Sequence, residues 1–227
     1  MTTTREARAV LWDLDGTLVD SEEYHWRSWL EVMQAEGVAV SRAQFLESFG
    51  QRNDRILARW LDGRASAERV ARVADAKEAA YRRLMRAGGL AWLPGVPGWL
   101  DRLRRAGWKQ AIASSAPRQN VEAVLDVLDA RQVFDAIVSA EDVREGKPAP
   151  DVFLAAATAL GVAAHRCVVV EDAPAGIDAA RRAGMRSIGI RAAAAAAPDL
   201  SAAALIDLPD DAFDAVLAGE PAAREPR

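Results

Sequence analysis

The sequence predicts an α/β fold in which a parallel sheet carries helices on both faces and a bundle of α-helices is inserted near its start. After residue 88, short apolar runs alternate with amphipathic helical stripes, a pattern that favours a parallel sheet covered on both faces. Residues 21–87 show helical periodicity and no convincing strand. We therefore expect a sheet domain formed by residues 1–19 and 89–227, and a helical domain formed by residues 20–88.

The first strand is predicted over residues 9–12, which are apolar and suit a short buried parallel strand. Asp13 and Asp15 follow two residues apart, so with a strand period of two their side chains leave on the same side. Gly16 suits a sharp turn there, and Thr17 adds a hydroxyl to it. A capped turn would explain these residues, but two crowded carboxylates also favour a divalent cation such as Mg²⁺. One aspartate could then be a nucleophile and the other a proton shuttle.

Four helices are predicted in the insertion, where apolar side chains recur at helical spacing. Helices of this kind pack as a small bundle. The side chains on the four stripes are Trp26, Trp29, Leu30 and Met33; Phe45, Leu46 and Phe49; Ile56, Leu57, Trp60 and Leu61; and Val70, Val73, Lys77, Ala80, Tyr81 and Leu84.

From residue 88 onward helices and strands alternate. Glycines are expected to end three of the helices, and Pro117 to lie in the first turn of another. The predicted elements are helix 96–106, strand 110–114, a helix from about 117, strand 136–138, helix 153–160, strand 167–170, helix 177–183 and strand 187–190. We expect residues 192–197 to form a turn of helix or a loop, residues 205–207 a last edge strand, and the end from residue 220 to be frayed.

The composition excludes several classes of protein. With 227 residues, of which 51% are hydrophobic, the chain can bury a full core and an insertion. Its formal net charge of −4 provides no basic field for nucleic acid, and no apolar run approaches the roughly 18 residues of a membrane span. The single cysteine, Cys167, rules out an internal disulfide and fits a reducing compartment. We expect a cytoplasmic protein without signal peptide, nucleic-acid partner or membrane partner, and we favour a monomer.

Serines follow the second predicted strand, at an edge where open parallel sheets bind ligands. Ser114 and Ser115 come directly after the strand, and the helix beginning near Pro117 directs free N–H groups to the same place. This arrangement predicts a phosphate seat. A lone serine before a helix is also a common helix cap, so that alternative stays open.

Acidic and basic residues follow two more of the predicted strands. Glu171 and Asp172 could complete a metal site with Asp13. Lys147, from the loop after the strand at 136–138, could offset negative charge on a phosphate and on Asp13. Taken alone, the two acids could be a solvated turn and the lysine a surface residue. Because the polar clusters follow four strands of one sheet, we expect them to converge on one rim.

In these residues the chain resembles the haloacid dehalogenase superfamily, in particular its beta-phosphoglucomutase-like branch of phosphatases and mutases. The resemblance covers about residues 8–192 and implies a Rossmann-like sheet domain with a helical cap that closes over the site. It rests on motifs that occur in the family's order and spacing: Asp13-Leu14-Asp15-Gly16-Thr17, Ser114, Lys147-Pro148-Ala149-Pro150 and Glu171-Asp172.

The resemblance implies a role for each motif residue. Asp13 is expected to be the nucleophile that becomes an aspartyl phosphate, and Asp15 the general acid-base. Mg²⁺ would be held by Asp13, the backbone carbonyl of Asp15 and Asp172, with Glu171 beside it. The phosphoryl oxygens of a small-molecule phosphate ester would be bound by Ser114, Ser115, Lys147 and Thr17.

Three residues of the insertion are candidates for substrate contact by the same resemblance. His25 falls near the expected hinge, and Lys77 matches a lysine of the family's cap. Arg52 follows a cap loop and could meet a distal phosphate or polar group of the substrate. For His25 the alternative is a helix residue near the hinge that does not touch substrate.

The residues after Ser114 favour a phosphatase over a mutase. Mutases of this branch hold a second phosphate with a serine and an asparagine, where this chain has Ala116 and Arg118. A sugar phosphomutase of the beta-phosphoglucomutase type is therefore the second choice. Two further alternatives are less favoured. A haloacid dehalogenase does not need Asp15 as a proton shuttle, so the presence of Asp15 counts against it. A non-catalytic binding protein would not need the complete motif set that this chain has.

Overall fold

The computed structural model describes residues 6–63 and 65–219. The strands within these residues are β1 (Ala9–Trp12), β2 (Lys109–Ala113), β3 (Ala136–Val138), β4 (Cys167–Glu171), β5 (Arg186–Ile190) and β6 (Leu200–Ala202). They form one sheet in the order β3-β2-β1-β4-β5-β6, and all neighbouring strands are parallel. The predicted parallel sheet is confirmed. The end from residue 220, predicted to be frayed, lies outside the described residues.

The α-helices of the described residues alternate with these strands after the first four. They are α1 (Glu22–Ala35), α2 (Arg42–Ser48), α3 (Asn53–Trp60), α4 (Ala67–Gly88), α5 (Val96–Arg105), α6 (Arg118–Val127), α7 (Asp151–Leu160), α8 (Pro174–Arg182) and α9 (Ala212–Ala218). None of the helices in this part of the chain combines the length and the apolar character that crossing a bilayer requires.

Strand β1 lies at the centre of the sheet and positions the first two aspartates. Its last residue, Trp12, is in register with Ile112 of β2 on one side and with Val170 of β4 on the other. All four residues of β1 are fully buried. The carboxyl ends of β1, β2 and β4 therefore meet at one edge, as the sequence predicts.

The two faces of the sheet carry separate hydrophobic clusters because β1 side chains alternate between them. Val10 and Trp12 pack with side chains of α5, α6 and α9, whereas Ala9 and Leu11 pack with side chains of α7 and α8. The sheet is thus covered on both faces, which confirms the predicted layers.

Helices α1 to α4 enclose a third hydrophobic cluster. It contains Trp29, Met33, Phe45, Leu57, Trp60 and Val73, and none of its buried members belongs to the two sheet clusters. The four predicted helices are present, although Leu30 and Leu46, predicted on their apolar stripes, are 39% and 50% exposed. The division of the chain into two domains at residues 19–20 and 88–89 stays a prediction.

The predicted edge strand at residues 205–207 is wrong, since this segment forms a single 3-10 turn. The Asp207 carboxylate accepts the Ala204 N–H at 3.1 Å, and the Asp207 N–H donates to the Ala204 carbonyl. The edge strand is β6 instead, which pairs with β5. A sequence window of three residues cannot distinguish these two segments, because local hydrogen bonds and pairing with a distant strand decide between them.

Smaller differences concern element ends. Pro117 lies just before α6 and not within its first turn, and Glu171 is the last residue of β4 and not the first residue after it. The alanine-rich residues 191–196 form a 3-10 helix, which agrees with the predicted turn of helix.

Candidate active site

Four charged side chains from three strand ends meet at the carboxyl edge of the sheet. The Lys147 Nζ lies 2.5 Å from Asp13 Oδ1 and 2.6 Å from Glu171 Oε1. Glu171 ends β4, and Asp172 follows it. All four side chains are buried. The structure thus brings Lys147, Glu171 and Asp172 together around Asp13.

The three carboxylates form a compact group of oxygen donors. One ligand oxygen from each of Asp13, Glu171 and Asp172 lies within 4.8 Å of the others. Gly16 packs so closely on this group that a Cβ there would lie 2.2 Å from Asp172 Oδ2, and its φ of +89° also favours glycine. Buried oxygen donors at this spacing fit a hard divalent cation, so these residues could hold a metal ion.

Burial shifts the acid–base properties of this group. Burial, and next the charge of Glu171, raise the pKa of Asp13 to about 7 despite the opposing charge of Lys147. Burial and the neighbouring acids Asp13 and Glu171 also raise the pKa of Asp172 well above its usual range. For Lys147, burial favours the neutral form, but the two carboxylates outweigh it and raise its pKa. The group thus has three carboxyl groups and a single ammonium, that of Lys147.

Asp15 faces the helical side of the site. Its Oδ1 accepts a hydrogen bond from Ser21 Oγ at 2.6 Å and one from Tyr81 Oη at 3.4 Å, and it lies 3.2 Å from His25 Nε2. Burial alone would raise the pKa of Asp15, but His25 and then Ser21 outweigh it, and the pKa falls below its usual value. The pKa values of Asp13 and Asp15, two residues apart, therefore shift in opposite directions.

A chain of contacts connects Asp15 to α4. The Lys77 Nζ lies 2.8 Å from His25 Nδ1 and 2.9 Å from Glu78 Oε1, and the His25 ring stacks on Tyr81 with 4.0 Å between centroids. An ammonium has only donors, so His25 Nδ1 must accept from Lys77. The remaining ring proton of neutral His25 is then on Nε2, where it donates to Asp15.

Several of these contacts involve residues that the sequence did not single out for a site. They are Ser21, Tyr81, Glu78, Asn53, Asn120 and Arg82. Glu78 is buried and accepts hydrogen bonds from Asn53 at 2.6 Å and from Asn120, and Asn120 accepts one from Arg82 at 2.7 Å. The charged pair Lys77 and Glu78 within an apolar helical stripe was an available signal. The contacts of Asn120 could not be predicted from the local sequence, because its partners lie on another helix.

The predicted phosphate seat precedes α6. Ser114 is buried, and its hydroxyl accepts the Ala116 N–H at 3.0 Å, so it closes the turn before the helix and does not cap it. Ser115 is half-buried. The Arg118 N–H at the start of α6 donates to Glu141 at 2.9 Å. Thr17 is placed elsewhere, with its hydroxyl donating to Asp172 Oδ1 at 3.3 Å.

A cavity of about 300 Å³ lies between the sheet edge and the helical segment. Asp13, Asp15 and both serines line it from the sheet side. The three candidate contact residues of the insertion also line it: His25, Arg52 and Lys77. Its volume is in the range of small-molecule sites.

Comparison with known proteins agrees with this geometry. A family model described as haloacid dehalogenase-like hydrolase matches residues 7–184. Hexitol phosphatase B of Escherichia coli K12 is 35% identical over 198 residues, which cover 85% of this chain and 87% of that protein.

Two solved structures are similar over most of their length. Beta-phosphoglucomutase from Clostridium difficile has a TM-score of 0.85 and 26% identity, with 93% of this chain and 97% of that chain covered. A mutant of CbbY from Rhodobacter sphaeroides, in complex with xylulose-(1,5)bisphosphate, has a TM-score of 0.81 and 30% identity, with 89% and 96% covered.

Proposed function

The chain belongs to the haloacid dehalogenase-like hydrolases, and on that basis we propose that it is a Mg²⁺-dependent phosphatase of a small phosphorylated metabolite. The family membership predicted from the motifs is confirmed. The hexitol phosphatase among the relatives supports phosphoric monoester hydrolysis. The observation that carries the proposal is the buried contact of Lys147 with Asp13, which lines the cavity and has two further carboxylates, Glu171 and Asp172, beside it.

The first step is attack by Asp13 on the phosphorus of the substrate. A bond forms between a carboxylate oxygen and phosphorus, and the bond from phosphorus to the substrate alcohol breaks. Asp15, in its protonated form, gives its proton to the departing alcohol oxygen. Lys147 faces the nucleophile with an ammonium that neutralises charge on the phosphoryl oxygens.

The second step is hydrolysis of the aspartyl phosphate. Asp15 takes a proton from water, the water oxygen attacks phosphorus, and Asp13 leaves as a carboxylate with release of inorganic phosphate. The partners of Asp15 support its role as base in this step, since Ser21 and His25 stabilise the ionised form that it takes after giving its proton to the alcohol.

Mg²⁺ would be held by Asp13, Asp172 and the backbone carbonyl of Asp15, with Glu171 beside it. When bound, it would supply the positive charge that this acidic group lacks and would help to keep Asp13 ionised. Glu171 has a second task, because it also accepts hydrogen bonds from Lys147 and from the Ala173 N–H at 3.0 Å.

We assign residues 20–88 to a cap that closes the cavity against water and selects the substrate. The positions of His25, Arg52 and Lys77 on the cavity wall support this assignment. The contact of His25 with Asp15 favours a role in positioning the proton shuttle over a role in holding substrate.

A phosphomutase is the less supported alternative. Where mutases of this branch hold a second phosphate, this chain has Ala116, which offers no side-chain donor, and Arg118. The Arg118 guanidinium instead contacts Asp142 and the Ile137 carbonyl. The hydrogen-bonding groups that would retain a second phosphate are thus missing or engaged.

A panel of phosphate esters assayed with Mg²⁺ tests the proposal through release of inorganic phosphate. Asp13→Asn should lower the rate by roughly a thousandfold or more, because a carboxamide is a poor nucleophile. Asp20→Asn is the matched control, since Asp20 lies in the same region but is exposed. Substantial hydrolysis by a folded Asp13→Asn variant would refute the nucleophile, and interconversion of hexose phosphates without phosphate release would favour a mutase.

A further inference from the structure

The cavity continues beyond the aspartates into a region that we call the outer pocket. The role that we infer for this pocket rests on the proposed function, because the pocket would hold the part of a phosphate ester that departs as the alcohol. Its wall includes Phe49, Gln51, Arg52, Asn53, Asp54 and Glu141. Arg52 is the one cation among these residues, and two acids accompany it.

Arg52 is already engaged by the protein. Its Nε lies 3.4 Å from Asp54 Oδ1, and its Nη1 donates to the Ala140 carbonyl at 3.4 Å. The side chain passes directly over Gly146, where a Cβ would lie 2.5 Å from Arg52 Cδ. The guanidinium therefore reaches across from the helical side to the sheet side, with its charge offset by Asp54.

The start of α6 is the second place where an anion could bind, since a helix N-terminus attracts negative charge. Here the Arg118 N–H donates to the Glu141 carboxylate at 2.9 Å. Pro117 has no N–H, and Ala116 has no side-chain donor. The Arg118 N–H is thus already bound by the protein's own acid and is not free for a phosphate.

Lys77, at the inner end of the same cavity, offers no unpaired positive charge to a second phosphate. Its ammonium contacts Glu78 and His25 and is buried. A dianionic group in the outer pocket would meet Asp54 and Glu141. The lysine and the arginine that line the cavity within the described residues, Lys77 and Arg52, are both already paired with acids. Hydroxyl groups, in contrast, could donate to both carboxylates and accept from the amides of Gln51 and Asn53.

We propose that the substrate carries a single phosphate and that the rest of it is an uncharged, hydroxyl-bearing carbon chain, as in a polyol or sugar monophosphate. The apolar ring of Phe49 beside the polar wall suits such a molecule. A sugar bisphosphate would place its second phosphate against the two acids of the outer pocket.

The test compares kcat/KM for a hexitol 6-phosphate and for a ketohexose 1,6-bisphosphate with the full chain and Mg²⁺. We expect the monophosphate to be favoured by at least about tenfold at low ionic strength, and this preference to shrink with added salt. An equal or higher value for the bisphosphate would overturn the inference while leaving the phosphatase proposal intact. Hydrolysis of neither ester, nor of any in the wider panel, would overturn both.

Two variants locate the effect in the outer pocket. Asp54→Asn and Glu141→Gln should each raise the ratio of bisphosphate to monophosphate kcat/KM severalfold, because each removes one negative charge that a second phosphate would meet. Glu145→Gln is the matched control, since it removes an exposed acid from the segment after Glu141 that does not line the cavity. Equal ratios in all three variants would contradict the assignment.

Discussion

Two buried lysines stabilise the two sides of the site in different ways. On the sheet side Lys147 contacts two carboxylates, Asp13 and Glu171, and a third acid stands beside them. On the helical side Lys77 contacts one carboxylate, Glu78, and a histidine nitrogen. The sheet side therefore has three acids for one ammonium, a surplus of acidic groups. On the helical side, which we call balanced, Lys77 pairs with Glu78, and Asp15 is held by hydrogen bonds from Ser21 and Tyr81.

This difference explains why the two aspartates suit different tasks. The pKa of Asp13 is raised to about 7 in the acidic group on the sheet side, and the pKa of Asp15 is lowered by its partners on the helical side. The side with surplus charge fits a divalent cation. The balanced side fits a proton carrier whose orientation is set by neutral hydrogen bonds.

Removing the lysine on the sheet side should have the largest effect. Lys147→Ala leaves the acids around Asp13 without their ammonium, and we expect kcat to fall by roughly a thousandfold. Lys109→Ala is the matched control, because Lys109 lies at the opposite end of β2 and donates to the Leu160 carbonyl. Phosphate release at fixed Mg²⁺ measures both. Comparable losses in the two variants would mean that general destabilisation, not charge at the site, explains the result.

The surplus charge also predicts how stability depends on pH and Mg²⁺. In metal-free protein the pKa of Asp13 is about 7 in the folded state and near 3.8 when unfolded. The folded state then binds more protons between these values, so stability should fall as pH rises from about 4 to about 7. Mg²⁺ should offset this loss, by about 2.7 kcal/mol at a hundredfold excess over Kd.

Thermal unfolding at pH 5 and pH 7.5, with Mg²⁺ and with chelator, measures this effect. Asp13→Asn should weaken the metal-free pH dependence, since one of the two carboxyls whose pKa is raised is then gone. A metal-free Tm that rises over the same pH interval would show that the charge surplus is wrongly assigned.

The smallest effect on turnover is expected for Asn120, which joins the helical side to the sheet domain. Asn120→Ala removes a buried donor to Glu78 and an acceptor for Arg82, and should cost about 1–3 kcal/mol of unfolding free energy. Turnover should fall only a few fold, because Lys77 still holds His25. Gln119→Ala, an exposed neighbour on α6, is the control. Loss of turnover as large as that of Lys147→Ala would mean that the balanced side is as sensitive as the sheet side.

Much of the fold was predictable because its signals are local. The apolar residues of β1, the glycines after the helices and the alternation after residue 88 act over a few residues of chain. The exception at residues 205–207 is a case where three residues fit either a strand or a turn. Pairing with β5, whose residues lie 12 positions before their partners in β6, decided which segment became the edge strand.

The sequence by itself determined the family, the parallel α/β layers and the set of charged residues at strand ends, since motif spacing and periodicity are properties of neighbouring residues. Only the tertiary structure decided the partners of those residues. Asp15 meets Tyr81, 66 positions away, and Glu78 meets Asn120, 42 positions away. The physical reason is that burial, hydrogen bonding and pKa depend on what packs against a side chain, and packing joins elements that the sequence keeps apart.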